Sequence, residues 1–207
     1  MTIRKGQQWG TLRVPQQPLT TVSCDDELRQ LIMSARESGH DLAPVGLLGG
    51  DLMRTLGGIA DPARFSSGEA IPHLPVDIVR VVADELRETY FVAHLVARHS
   101  WWHGPITAAM NAQFLHRWDV SPRCHPNDGK VDIVQVSADM SLQQRWIARS
   151  RVLLGTHVPH PKIAITQRAT TIVDLTKRTH LRVDGVAWGS GRRLEMTVIP
   201  DAAVVCV

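Results

Sequence analysis

The first apolar pattern along the chain is helical. Leu28, Leu31, Ile32 and Ala35 recur three or four apart behind Asp25, Asp26 and Glu27, acids that suit the positive end of a helix dipole, and Gly39 supplies a stop. After Pro44, Val45, Gly46, Leu47 and Leu48 form a short apolar run that reads as a buried strand. Gly49 and Gly50 then turn the chain into a second helix over 51–56. A short strand is also expected over 11–14, between two proline-containing turns within 8–22. This αβα piece is too small for a doubly wound domain, which needs several βαβ units of about 30 residues each.

Residues 61–75 are rich in Pro, Ser and Gly and read as a linker or surface loop. Beyond them the pattern shortens. Stretches at 76–83, 90–97, 106–111, 131–136, 163–168, 171–175, 181–183, 194–199 and 204–207 are β-branched and mostly separated by turn residues. Leu194, Met196 and Val198 alternate with Glu195 and Thr197. One helix interrupts the strands: Ser141 and Gln144 make a capping box, Leu142, Trp146, Ile147 and Leu154 lie in a helical stripe, and Gly155 ends it. The expected fold is α+β and β-rich: an α/β stub over 1–75, then an antiparallel β-sandwich over 76–207.

Composition narrows this little. A chain of 207 residues, 43% hydrophobic and 21% charged, buries enough surface to need no disulfide or metal for its core. The net charge of +3 favours anionic partners but is too small for a nucleic-acid footprint, so none is expected. Cys24, Cys124 and Cys206 are three, far apart and without a Cys-x-x-Cys pair, as suits reduced thiols in a cytoplasmic setting. The start, from Met1 to Trp9, has no apolar core for a signal peptide, and no apolar run reaches 18 residues. A lipid substrate would therefore be met from the membrane surface, by a peripheral protein.

Five constellations carry candidate chemistry. Gly49, Gly50, Asp51 and Arg54 stand at a strand–turn–helix junction, where backbone N–H groups can face a phosphate; a plain turn capped by Asp51 has the same signature. Asp128 and Asp132 flank the start of a strand and could hold a hard cation such as Mg²⁺ through oxygen, or be solvated acids of a hairpin. Asp184-Gly185 reads first as a hairpin turn. His157 and His160 suggest a metal, but prolines separate them and no third ligand is evident. Arg145, Arg149, Arg151, Lys162 and Arg168 lie in a stretch without acids, either a solvated face or a surface for an anionic leaflet.

The order of these landmarks resembles the lipid kinase family that includes bacterial diacylglycerol kinases and sphingosine kinases. Residues 51–57, Asp-Leu-Met-Arg-Thr-Leu-Gly, are similar to the second half of the family's Gly-Thr-x-Asn-Asp-Phe-Ala-Arg-x-Leu-Gly. The strand holding Asp77, the strand end Asn111-Ala112, the Asp128-Gly129 to Asp132 segment, the Asp184-Gly185 turn and the Pro200-Asp201-Ala202 connection follow in family order. The resemblance implies Asp184 as the catalytic base, Gly49, Gly50, Asp51 and Arg54 near nucleotide phosphates, Asp128 and Asp132 around Mg²⁺, and ATP as the nucleotide. It also places two acidic turns, near 128 and near 184, beside one cleft.

The chain departs from that pattern in two places. The family's Gly-Gly-Asp-Gly-Thr loop, which cradles ATP, is not found as such, and Val186 replaces the Glu of its Asp-Gly-Glu. Phosphoryl transfer rests on positioning and charge neutralisation, so loss of the cradle removes most of the catalysis, and loss of a general base costs a further ~10²–10⁴-fold. Residues 1–75 then read as a partial nucleotide-binding remnant. Three functions stay open: a degenerate lipid-kinase-like protein that binds a lipid or a partner; an active ATP-dependent kinase of a diacylglycerol- or sphingoid-type hydroxyl; and a β-rich module for self-association. The partners implied are a lipid or membrane surface, a second copy, or a protein supplying the nucleotide-binding half.

Overall fold

A computed structural model describes residues 9–15, 19–84, 86 and 88–207. The second of the two expected proline turns, at Pro18, and the segment 1–8 lie outside them. In chain order the first elements are β1 (Thr11–Arg13), β2 (Thr20–Val22), α1 (Asp25–Ser38), β3 (Val45–Leu47) and α2 (Gly50–Thr55). A 3₁₀ turn (Pro62–Phe65) leads to β4 (Ile71–Ala83), β5 (Thr89–Phe91), β6 (His94–Arg98) and β7 (Ile106–Met110). Then come β8 (Phe114–Leu115), β9 (Trp118–Asp119), β10 (Val131–Val136), α3 (Leu142–Arg151), β11 (Ile163–Arg168), β12 (Thr170–Val183) and β13 (Val186–Cys206).

Eleven strands form one sheet with the path β1-β4-β13-β12-β6-β7-β10-β11. All pairs along that path are antiparallel. The sheet folds back around one core, because inward residues from both halves meet there: Val79, Val81 and Leu194 from one, Leu95, Ala109 and Ile133 from the other. β12 makes the change of direction, with its pairing to β13 broken between Asp174 and Thr179. Asp184 (φ 45°) and Gly185 (φ 84°) close the β12–β13 hairpin; two consecutive positive φ values are what a type I′ turn demands.

The N-terminal unit is joined to the sandwich by shared strands. β2 and β3 pair in parallel, and β3 pairs in parallel with Val205 and Cys206 at the end of β13. β4 crosses the expected boundary at 75/76, and β13 returns past a bulge between Ile199 and Ala203 to reach β3. A second core, with Leu28 and Ile32 of α1, Leu52 of α2 and Val76 and Ile78 of β4, seals the junction. α1 ends as its glycine suggests: Gly39 is left-handed and the His40 N–H returns to the Ala35 carbonyl.

The elements depart from the sequence reading where chain-local cues mislead. Residues 71–75 begin β4 despite Pro72 and Pro75, while 171–175 and 181–183 merge into β12. α3 is inverted relative to its apolar stripe. Leu142, Trp146 and Leu154 are 64%, 67% and 78% exposed, whereas Arg145 is buried. Arg145 donates to the carbonyls of Met140, Trp101, Gly104 and Ser137, so it pins the helix over the outer face of β7 and β10. No helix among the described residues is long and apolar enough to cross a membrane.

Candidate functional site

The site forms where α1, α2 and the loop between β5 and β6 converge. β2 ends at Val22, and Ser23-Cys24 carries the chain into α1, so Asp25 sits on the first turn, aimed across at α2. Its carboxylate accepts the N–H of Asp51 at 2.6 Å and of Leu52 at 3.1 Å. Those are first-turn donors of α2, left without partners inside the helix. The two glycines make this approach feasible. A Cβ on Gly49 would collide with the Ser23 carbonyl, and one on Gly50 (φ 97°) with the Asp25 carboxyl.

Asp51, the second residue of α2, turns its own carboxylate away from that contact. Its Oδ2 accepts the His116 N–H at 2.8 Å and lies 2.9 Å from His94 Nε2. His94 opens β6, and its backbone N–H donates to Asp184 Oδ1 at 3.0 Å. Asp184 collects two more backbone donors, Val92 to Oδ2 at 3.0 Å and Ala93 to Oδ1 at 2.9 Å. The carboxylate thus clamps the β5–β6 turn, and the Asp184 N–H returns to the His94 carbonyl.

Electrostatics follow from this packing. Burial raises the Asp25 carboxyl to about 7, with the neighbouring Asp184 charge adding to the effect and the α2 N–H groups opposing it. Asp184 is also raised, by burial first, against the pull of His94 and its backbone donors. Burial alone would raise Asp51, but the hydrogen bonds from His94 and His116 outweigh it and the net shift is down. Burial alone would lower His94; the Asp51 hydrogen bond and the charges of Asp184, Asp51 and Asp25 reverse that, and it is raised. Asp51 and His94 therefore form a charged pair, while Asp25 and Asp184 are driven toward their neutral forms.

Ligand atoms of Asp25, Asp51 and His94 lie within 4.8 Å of one another. Asp25 bonds to the α2 backbone and Asp51 to His94, while His94 Nδ1 is buried without a hydrogen-bond partner. Asp128 and Asp132 stand elsewhere. Asp128 accepts the Lys130 N–H at 3.0 Å, Asp132 accepts the Ser121 hydroxyl, and nearby Asp77 accepts the Gly129 N–H at 2.7 Å. Burial raises Asp128 to about 6, and the charges of Asp132 and Asp77 push the same way; Asp132 and Asp77 are raised by burial. Lys130 offsets part of the charge on Asp128 and Asp132, and Asp77, Asp128 and Asp132 do not bring ligand atoms within 4.8 Å of one another as a group.

The two acidic turns lie along one end of the same sheet. Asp132 pairs with Met110, Met110 with His94, and Asp184 bonds to the His94 backbone. That is three strand spacings, about 14 Å, so the turns share an edge rather than a point. Arg54 faces away from the α2 N-terminus: it donates to the His116 carbonyl at 2.7 Å and stacks 4.5 Å over the Phe114 ring. His157 Nε2 donates to the Val120 carbonyl at 3.1 Å, and His160 Nδ1 accepts the Lys162 N–H; they join no metal-like cluster among the described residues.

Sequence reasoning singled out Asp51 and Asp184 and missed the two residues that link them. Asp25 was read only as a helix-dipole acid, and His94 as part of an apolar strand. A lone histidine in a run as apolar as 91–97 is the signal the sequence offers.

A second feature lies between α3 and the sheet. A cavity of about 120 Å³ is lined by Trp101, Ile106, Ala108, Trp118 and Val134, with Arg149 at its side. Arg149 stacks on Trp118 at 5.1 Å and on Trp102 at 5.4 Å.

No family model matches the chain, and no curated protein matches it either. Solved structures do. Two crystal structures, each described as "a putative diacylglycerol kinase" from Bacillus anthracis str. Sterne, share 12% and 10% identity, both with a TM-score of 0.59. They cover 78% of this chain and 69% and 68% of their own. A third, of a diacylglycerol kinase from the same organism, gives a TM-score of 0.56 at 11% identity over 78% of this chain and 66% of its own. What this chain shares with those diacylglycerol kinase structures is the fold: a β-rich α+β architecture built on a large antiparallel sheet.

Proposed function

We propose that this chain is a lipid-kinase-like protein that binds a lipid and has little or no phosphoryl transfer of its own. The observation that carries this reading is the Asp25 carboxylate seated on the Asp51 and Leu52 N–H groups. A helix N-terminus binds an anion through such donors, and here they are occupied by the chain's own carboxyl group. At the β2–α1 junction Glu27 accepts both the N–H and the hydroxyl of Ser23, the residue before the α1 N-cap. Ser23-Cys24-Asp25-Asp26-Glu27 forms the turn from β2 into α1 without a glycine, and the Gly-Gly-Asp-Gly-Thr loop of the resemblance is absent from the sequence. The groups present therefore do not fit a nucleotide triphosphate. Asp184 is equally committed, since both its oxygens hold backbone donors. The apolar cavity beneath α3 supplies the lipid side, with room for part of an acyl chain.

Titration calorimetry with Mg²⁺–ATP tests the nucleotide half: no binding heat is expected, and micromolar affinity would overturn it. Quenching of tryptophan fluorescence by dihexanoylglycerol, a monomeric short-chain lipid, tests the other half. Saturable quenching is expected.

The alternative, an active ATP-dependent kinase of a diacylglycerol- or sphingoid-type hydroxyl, draws on the meeting of Asp51 and Asp184 through His94. In that reading Asp184 deprotonates the hydroxyl, and Asp128 with Asp132 holds Mg²⁺. It requires Asp25 to leave α2 before a phosphate can reach those donors.

A further inference from the structure

We propose that the outward face of α3, with the turn that follows it, docks onto a bilayer containing anionic phospholipid. This rests on the lipid-binding reading and names the surface that delivers the lipid. Leu142 and Trp146 are one turn apart on α3, and Leu154 lies just beyond its end; all three are more than 60% exposed. Single exposed apolar residues are ordinary, but a cluster on a ten-residue helix marks an interaction face. The inversion of the helix is held in place, since buried Arg145 bonds four carbonyls and fixes which side faces out.

Charge decides the occupant. No Asp or Glu occurs between Met140 and Val173. Arg149 and Arg151 flank the apolar cluster, and neither makes an ion pair with a carboxylate among the described residues. Across a two-fold contact between copies, this face would set unneutralised arginines against each other. Against an anionic leaflet the same arginines meet phosphates, the leucines reach the acyl region, and tryptophan sits at the boundary it favours. The face is also continuous with the cavity, because Arg149 borders both and is held there by Trp102 and Trp118. A lipid leaving the leaflet beside α3 would enter the cavity directly.

The test is co-sedimentation with vesicles of phosphatidylcholine alone or mixed with phosphatidylglycerol, at low and high salt. The wild-type chain should bind the mixed vesicles at least about tenfold more tightly, and salt should weaken that preference. Arg151→Gln should reduce binding to mixed vesicles roughly fivefold, the surface attraction of one cationic side chain. Leu142→Gln, Trp146→Gln and Leu154→Gln together should abolish binding while leaving circular dichroism and thermal melting unchanged. Undiminished binding by that triple variant would overturn the proposal, as would equal binding to neutral vesicles. A wild-type dimer that Trp146→Gln dissociates would also overturn it, assigning the face to a second copy. Failure of the lipid-binding reading would look different: vesicle binding would persist while dihexanoylglycerol left the cavity tryptophans unquenched.

Discussion

Asp25 makes the protein's stability depend on pH in a direction unusual for a carboxylate. Its folded value of about 7 exceeds the ordinary 3.8, so the folded form takes up a proton that the unfolded chain has already lost. Its contribution is greatest below about pH 4 and declines as pH rises toward 7, by roughly 4 kcal/mol over the window. The raised Asp184 acts the same way, and the raised His94 continues the decline above pH 6.5, as its favourable charge is lost. Asp51, shifted down, affects only pH below its ordinary range. Urea denaturation at pH 5 and pH 8 should find the protein more stable at pH 5, and Asp25→Asn should narrow the difference, the raised Asp184, Asp128 and His94 supplying the rest. At Asp184 the expected effect is structural. Asp184→Asn presents an amide to three backbone donors and should cost about 1.5–3 kcal/mol by the same assay.

At the scale of elements, α2 depends on close backbone passage rather than on helix propensity, since six residues hold little helix by themselves. Gly50→Ala would place a methyl group into Asp25 at a positive φ, and should lower Tm by about 4–8 °C, equivalent to ~2 kcal/mol. α3 depends on one arginine. Arg145→Met removes a donor from four carbonyls and should loosen the helix, seen as lost helical circular dichroism together with weaker dihexanoylglycerol quenching. The helices and most strands were legible in the sequence because α1, α3 and β10 carry their own periodicity and caps. β2, the β8–β9 pair and the first half of β13 were not. Gly189, Ser190 and Gly191 carry no β-branched or alternating pattern of their own, yet they pair with Leu181, His180 and Thr179 because β12 arrives beside them. The candidate site was half legible for the same reason. Asp51 and Asp184 stand in recognisable local motifs, but their link through His94 spans 43 residues in one direction and 90 in the other, and no local pattern encodes that meeting.

At the scale of the molecule, two long strands tie the regions into one body. β4 and β13 run from the sandwich core into the N-terminal unit, so α1, α2 and the β5–β6 turn are held at one end of the sheet. That arrangement brings four ionisable side chains together, and the Asp51 and Leu52 N–H groups, which could face a phosphate, are taken by Asp25. The apolar cavity lies on the outer face of β7 and β10, beneath α3. The most direct test is transfer of labelled γ-phosphate from Mg²⁺–ATP to a dispersed diacylglycerol by the purified 207-residue chain. The account predicts no transfer above that of Asp184→Asn. Turnover of about 1–100 s⁻¹, the usual range for kinases, that vanishes in Asp184→Asn would contradict it.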